Sequence, residues 1–172
     1  VCTTELSVQG TNGCESVTDA WNGGTFDAFR NRLILWGGGH DNYYGNEMYA
    51  LSLNTLSMSR ITDPGLPVTC KSGDVGCCVA AIANGTQPNS RHIYDGLAYI
   101  PDLDKMWIFS GVMACQPGWA QADTWLFNFA TLTWERKYPS GPIPSGIYGN
   151  VAAYDNNTRL IFLHNLYAFY SY

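Results

Sequence analysis

The fold of this chain is decided by Trp21-Asn22-Gly23-Gly24-Thr25-Phe26 and, a few residues later, Asn31-Arg32-Leu33-Ile34-Leu35-Trp36-Gly37-Gly38. A polar turn from Asp27 to Asn31 separates the two segments, which is the pattern of a β-hairpin. The second segment is continuously apolar from Leu33 to Trp36, as is typical of a strand that is buried on both faces. We therefore expect two antiparallel strands here.

The same pattern occurs twice more along the chain. The second copy is Tyr94-Asp95-Gly96-Leu97-Ala98-Tyr99 with Asp104-Lys105-Met106-Trp107-Ile108-Phe109-Ser110-Gly111, and the third is Gly149-Asn150-Val151-Ala152-Ala153-Tyr154 with Thr158-Arg159-Leu160-Ile161-Phe162-Leu163. In the first two copies the hairpin continues into a further pair of strands, at residues 46–60 and 123–136. Four antiparallel strands in each repeat are typical of a β-propeller blade.

The repeats predict both the strands and their burial. We expect strands near residues 22–28, 32–37, 46–53, 57–62, 95–100, 105–110, 123–129, 132–137, 149–154 and 159–164. The first strand of each repeat should place small or aromatic residues between blades, namely Gly23, Gly24, Phe26, Leu97, Tyr99, Val151 and Ala153. The second strands should be buried on both faces, at Leu33–Trp36, Met106–Phe109 and Leu160–Leu163.

These repeats resemble the blades of kelch-type β-propellers, within the galactose oxidase-like propeller superfamily. The resemblance rests on the double glycine after the second strand and on aromatic residues in the third and fourth strands, at Gly37-Gly38, Tyr49, Trp125 and Trp134. The second and third repeats depart from it, with Ser110-Gly111 and His164-Asn165 in place of the double glycine. The resemblance implies an all-β fold of four-stranded kelch-type blades, and the chain supplies two blades plus part of a third.

The domain organisation follows the repeats. We expect an N-terminal segment with a disulfide at residues 1–20, a first blade at 21–63, a cysteine-containing insertion at 64–90, a second blade at 91–140 and a partial third blade at 141–172. Propellers have about 4–8 blades. The remaining blades should therefore come from a longer chain or a neighbouring subunit.

Composition excludes several classes of function. Charged residues make up 13% of the 172 residues, the net charge is −5, and no cluster of lysine and arginine occurs. Nucleic acid is therefore not an expected partner. No apolar run reaches the ~18 residues that a transmembrane helix needs, so we expect no membrane span.

Six cysteines, Cys2, Cys14, Cys70, Cys77, Cys78 and Cys115, lie in loop-like segments. They lack the paired C-x-x-C spacing of zinc sites, so disulfides in a secreted protein, extracellular or at the cell surface, are the better interpretation. The favoured pairs are Cys2–Cys14, Cys70–Cys77 and Cys78–Cys115. Asn84-Gly85-Thr86 and Asn156-Asn157-Thr158 match the acceptor pattern for N-glycosylation.

The long loops follow the second and fourth strands of each repeat and should emerge on one side of the blades, which we call the loop face. The candidate ligand-binding residues there are His40, Asp41, Tyr43, Tyr44, Asn46 and Glu47 in the first loop, and Arg91 and His92 before the second blade. Aromatic faces suit sugar rings, and amides and carboxylates suit hydroxyls. A Ca²⁺ ion is an alternative ligand for the first loop.

Each of these groups also has a structural interpretation. The glycines of the first loop permit tight turning, and its polar side chains can satisfy backbone amides. Arg91 can pair with a neighbouring carboxylate or carbonyl and lock blades together.

The functional expectation is a non-catalytic binding or structural module for a glycan or protein partner. The alternative is an extracellular carbohydrate-active enzyme, such as a galactose oxidase-like copper oxidase. The resemblance implies that this copper chemistry needs two histidines, two tyrosines and a cysteine cross-linked to one of the tyrosines. The chain offers His40, His92 and His164 with no adjacent Tyr-His pair, so we expect neither copper nor another cofactor, and no catalytic residue is assigned.

Overall fold

The computed structural model describes residues 8, 10–19, 21–39, 42–65, 79–114, 119–146 and 148–172. Strands and turns make up this part of the chain, together with 3-10 turns such as Gly13–Val17 and Pro101–Leu103, and it holds no α-helix. In these residues no helix has the length and apolar character needed to cross a bilayer. The fold is all-β.

The first blade is a four-stranded antiparallel sheet in sequence order. Its strands are β1 (Gly23–Asp27), β2 (Arg32–Trp36), β3 (Met48–Ser52) and β4 (Ser57–Arg60). Ile34 of β2 lies opposite Thr25 of β1 and Ala50 of β3. The connection to the next blade carries a small hairpin, β5 (Ala81–Ile82) and β6 (Gln87–Pro88), and then β7 (Arg91–His92).

The second blade repeats this plan and the third has three strands. The second consists of β8 (Leu97–Ile100), β9 (Lys105–Phe109), β11 (Thr124–Asn128) and β12 (Thr133–Lys137), while β10 (Val112–Met113) pairs with β7. The third consists of β13 (Val151–Asp155), β14 (Leu160–His164) and β15 (Phe169–Ser171). All ten predicted strands occur, with ends that differ from the prediction by about two residues at most. The fold class is confirmed.

The blades pack face to face through two apolar clusters. Between blades 1 and 2 the buried residues include Ile34, Trp36, Met48, Tyr99, Met106, Ile108, Trp125 and Phe127. Between blades 2 and 3 they include Ala98, Ile100, Trp107, Phe109, Leu126, Ile161 and Leu163. Blade 2 is covered on both sides, and its second strand is buried on both faces as predicted.

The prediction of burial on both faces is wrong for the third blade. Leu160 and Phe162 are 37% and 43% exposed, and Val151 on the same sheet face is 50% exposed. Phe26 on the outer face of blade 1 is 48% exposed, although it was also expected to pack between blades. No neighbouring blade covers either face within the described residues, so only one side of these sheets is buried.

The first strands of the three blades lie side by side. The Tyr94 N–H donates to the Trp21 carbonyl at 2.9 Å, and the Asp95 N–H donates to the Asn150 carbonyl at 3.1 Å. The three strands border an open groove of about 480 Å³, lined partly by the small residues Gly24, Ala98 and Ala152. This arrangement places the groove where a propeller has its axis.

Candidate ligand-binding site

The described residues of the predicted site lie together on the loop face, but most of them are buried. Tyr43, Tyr44, Asn46 and Glu47 follow β2 in the first blade, and each is 5% exposed or less. His40 and Asp41 lie outside the described residues. Binding of a ligand by these two residues stays a prediction.

Glu47 is the centre of a buried hydrogen-bonded group. Its Oε1 accepts hydrogen bonds from the hydroxyls of Tyr43 at 2.6 Å and Tyr49 at 2.9 Å. Burial, together with the neighbouring carboxylate, raises the pKa of both tyrosines well above the usual value. Both phenols are therefore neutral donors at physiological pH, and they hold the loop against β3.

Asn46 connects the first blade to the insertion. Its Nδ2 donates to Gln87 Oε1 at 2.9 Å and to the Pro88 carbonyl at 3.0 Å, and its Oδ1 accepts from the Gly65 N–H at 2.7 Å. The Trp36 indole donates to the backbone carbonyl of Asn46 at 2.8 Å. These contacts satisfy the polar groups of the side chain inside the protein.

Arg91 has no exposed surface and forms a bidentate ion pair with Asp123. Its Nη1 and Nη2 donate to the two carboxylate oxygens at 2.7 and 3.2 Å, and its guanidinium also donates to three backbone carbonyls, those of Ala80, Asn89 and Ser110. Asp123 accepts a further hydrogen bond from the Trp125 indole at 2.6 Å. The ion pair that the structural interpretation of Arg91 predicted therefore occurs, but both of its residues belong to the second-blade segment 91–140, so it does not join two blades. Sequence reasoning did not identify Asp123 as its partner.

The glycine-rich loop lies directly against the segment that carries Arg91. Gly39 has φ +45°, and a Cβ there would stand 2.1 Å from the Arg91 carbonyl carbon and from the His92 nitrogen. The Ser90 hydroxyl accepts from the Gly39 N–H at 3.0 Å and donates to the Tyr43 carbonyl at 3.1 Å. Only glycine permits this approach, which fixes the first-blade loop beside β7.

Three aromatic rings form a cluster beside this loop, in which Trp21 is exposed, Tyr94 is partly buried and His92 is buried. We call Trp21, His92 and Tyr94 the aromatic cluster; their ring centroids are 6.2 to 6.5 Å apart. Trp21 is 59% exposed, and it lines an open cleft with Asn12, Ser16, Asp19 and Asn42. The Asn42 side-chain oxygen lies 2.8 Å from His92 Nε2. Of the predicted site residues that the structure describes, only His92 belongs to this cluster.

Two residues of the aromatic cluster are among the ten described non-glycine residues with a left-handed backbone. Trp21 and Tyr94 have φ values of +75° and +54°, and Gly149 has +76° at the corresponding position of the third blade. A left-handed conformation costs a bulky residue on the order of 1–3 kcal/mol, so such residues often mark functional sites. The sequence shows Trp21 and Tyr94 at the start of their repeats but gives no sign of this conformation.

The described residues contain no group of three His, Cys, Asp or Glu side chains that could hold a metal ion. His164 stacks on Phe169 with ring centroids 4.5 Å apart. Cys14 is not a free thiol. The other five cysteines lie outside the described residues, so the three disulfide pairs stay predictions.

No family model matches the chain. Among solved structures it is similar to the structure of YjhT, with 15% identity, a TM-score of 0.50 and coverage of 90% of this chain and 44% of that chain. It is also similar to TolB from Acinetobacter baumannii, with 12% identity, a TM-score of 0.44 and coverage of 87% of this chain and 28% of that chain. The chain thus spans less than half the length of either protein. The match to YjhT shows a β-propeller-like fold.

Proposed function

We propose that this chain is part of a secreted kelch-type propeller that binds a glycan, without catalysis, at the aromatic cluster. The exposed ring of Trp21 carries the proposal, because its strained backbone holds an apolar face toward solvent. Tyr94 meets that ring edge-on at 6.2 Å and limits its movement. A fixed, exposed indole suits stacking against the apolar face of a sugar ring.

The polar groups around Trp21 support the choice of a glycan. Asp19 and Asn42 line the same cleft, and His92 borders it. An amide and a carboxylate beside an aromatic face can exchange hydrogen bonds with the hydroxyls of one sugar. The structure therefore offers both kinds of contact that sugar binding uses.

The number of carboxylates in the cleft favours binding over hydrolysis. Glycoside hydrolysis ordinarily needs two carboxylates, about 5–10 Å apart, on either side of the scissile bond. Among the described residues that line this cleft, Asp19 is the one carboxylate. Glu47, which is nearby in sequence, is buried against two tyrosines.

The buried residues of the predicted site support the cluster rather than contact the ligand in this proposal. The Arg91–Asp123 pair and the Gly39 contact fix the segment that carries His92 and Tyr94. The oxidised state of Cys14 supports a location outside the reducing cytoplasm.

A panel of neutral and acidic oligosaccharides on a glycan array, followed by calorimetric titration of the tightest binder, tests the proposal. Trp21→Ala should weaken binding at least tenfold. Trp119→Ala is the matched control, since Trp119 is 57% exposed but stands outside the cluster, and it should leave the affinity unchanged. Failure of every oligosaccharide to bind, or equal binding by Trp21→Ala, would overturn the proposal.

A further inference from the structure

The cleft beside the aromatic cluster is built by contacts between the N-terminal segment and the first-blade loop. The Asn12 N–H donates to the Asn42 carbonyl at 3.1 Å. Asn22 joins the two segments a second time, because its Nδ2 donates to the Ser16 carbonyl and its Oδ1 accepts from the Gly38 N–H at 3.0 Å. The fold therefore holds the walls of this cleft together around a volume of about 270 Å³.

The cleft carries negative charge. Asp19, whose side chain is exposed, is the one charged residue among the described residues that line it. The sequence segments that supply the lining residues, 1–29 and 33–59, contain no lysine or arginine. Arg91 lies next to the aromatic cluster in sequence but is committed to its buried ion pair with Asp123. An anionic sugar would therefore meet a carboxylate of like charge, whereas a cationic sugar would neutralise that carboxylate.

Two further groups of the cleft suit a protonated amine. Ser16 lines the cleft, is 2% exposed, and has a hydroxyl without a hydrogen-bond partner within the described residues. A buried hydroxyl without a partner is costly, and its oxygen can accept a hydrogen bond from an ammonium group. The indole face of Trp21 also attracts cations, for which tryptophan is the best of the aromatic side chains. The cleft thus combines a carboxylate, a hydroxyl and an indole that each favour a cationic ligand.

We infer that the glycan recognised at this cleft is an oligosaccharide of amino sugars whose amines are free and protonated. The inference rests on the proposed function, since it names the class of sugar that the aromatic cluster binds. The ammonium group would donate to the Asp19 carboxylate and to the Ser16 hydroxyl, while a sugar ring stacks against Trp21. Neutral oligosaccharides would keep the stacking but lose the charge-assisted hydrogen bond, so they should bind the same cleft more weakly.

Two tetrasaccharides with the same linkage test the inference by calorimetric titration at about pH 6, where an amine of this kind is protonated. The fully deacetylated chitosan tetramer carries an ammonium group at the carbon where cellotetraose carries a hydroxyl. The chitosan tetramer should bind at least about tenfold more tightly than cellotetraose at about 0.15 M salt. Its affinity should fall as the salt concentration rises to about 1 M, whereas the affinity for cellotetraose should stay nearly constant.

Two variants that each remove one carboxylate separate a contact with Asp19 from a general attraction to the surface. Asp19→Asn should reduce the preference for the chitosan tetramer to about threefold or less and leave the affinity for cellotetraose nearly unchanged. Glu15→Gln is the matched control, because Glu15 is an exposed carboxylate of the neighbouring 3-10 turn that does not line the cleft. It should leave the preference intact. An equal loss of preference in both variants would overturn the inference.

The remaining outcomes distinguish this inference from the proposed function. Cellotetraose binding that is at least as tight as that of the chitosan tetramer, and that Trp21→Ala abolishes, would overturn the inference and leave glycan binding standing. Binding of neither tetrasaccharide would also overturn the inference, and the wider glycan array would then decide the proposed function. Binding of the chitosan tetramer that Trp21→Ala leaves unchanged would overturn both.

Discussion

Arg30 in the first blade and Asp104 in the second form a bidentate ion pair, with nitrogen–oxygen distances of 2.7 and 2.6 Å. Arg30 also bonds to the buried carboxylate of Asp27, which pairs with Arg32 at 2.8 Å. The Tyr99 hydroxyl donates to Asp104 at 2.9 Å. These residues lie in or beside the turns between first and second strands, on the side opposite the loop face. The Arg30–Asp104 pair therefore joins blades 1 and 2 on this side.

The Arg30–Asp104 pair should contribute measurably but modestly to stability. Both side chains are about 30% exposed, which limits the coupling energy to about 1 kcal/mol. A double-mutant cycle with Arg30→Met and Asp104→Asn, followed by urea unfolding, measures it. Additive effects of the two substitutions would show that the pair adds nothing beyond its separate contacts.

The same pair should make stability depend on pH in the acid range. The hydrogen bond from Arg30 lowers the pKa of Asp104 below its usual value. The stabilisation is therefore present above the unfolded pKa of about 3.9 and is lost as the pH falls through the lower, folded pKa. The coupling energy should shrink between pH 7 and pH 2, and a constant value over this range would contradict the assignment.

The buried Arg91–Asp123 pair should behave differently from an exposed one. Arg91→Met leaves the Asp123 carboxylate buried without a counter-charge, so we expect a loss of about 3–5 kcal/mol in the free energy of unfolding. Arg91→Met combined with Asp123→Asn should recover part of this loss. Lys137→Met, which breaks a partly exposed pair with Glu135, is the control and should cost less than about 1 kcal/mol. Similar losses in the free energy of unfolding for Arg91→Met and Lys137→Met in urea would argue against a buried, uncompensated Asp123 carboxylate in the Arg91→Met variant.

Gly39→Ala should disrupt the contact between the first-blade loop and β7. The added methyl group would meet backbone atoms at 2.1 Å, and the φ of +45° is strained for alanine, so we expect a loss of more than about 2 kcal/mol. Gly141→Ala is the control, since a Cβ there meets nothing within 4 Å. Thermal unfolding of both variants checks this, and equal midpoints would contradict the contact.

The strands of this fold could be predicted from sequence because each depends on a local pattern. Leu33–Trp36 and Met106–Phe109 are apolar runs between turn residues, and both form strands within about a residue of the prediction. Burial was less predictable than the strands, because the burial of a strand depends on the neighbouring blade. Met106–Phe109 is covered on both sides, whereas Leu160 and Phe162 are exposed on one face.

The candidate site was only partly predictable for a similar reason. The sequence places Tyr43 and Glu47 in a polar loop, but the loop folds inward and buries both side chains. Arg30 and Asp104 are 74 residues apart, and no local pattern joins them. The exposed ring of Trp21 depends on a φ value that the tertiary contacts impose, so its importance emerges only in three dimensions.

The left-handed backbone at Trp21 should reverse the usual order of stability, in which an alanine variant is more stable than a glycine variant. In an ordinary strand, glycine is less stable than alanine by roughly 0.5–1 kcal/mol, whereas at positive φ glycine relieves strain. We expect Trp21→Gly to be more stable than Trp21→Ala by about 0.5–1 kcal/mol in urea unfolding, as Gly149 at the equivalent position suggests. Both variants should lose glycan binding, because both lack the ring.

Ser57, an exposed position in β4 without positive φ, is the matched control for this comparison. There Ser57→Ala should be more stable than Ser57→Gly, because the backbone is an ordinary extended strand. The same order at both positions would show that Trp21 is not strained. In that case the exposed ring would owe its position to contacts with His92 and Tyr94 alone. The reversed order at Trp21 would show that stability is given up to hold the indole toward solvent.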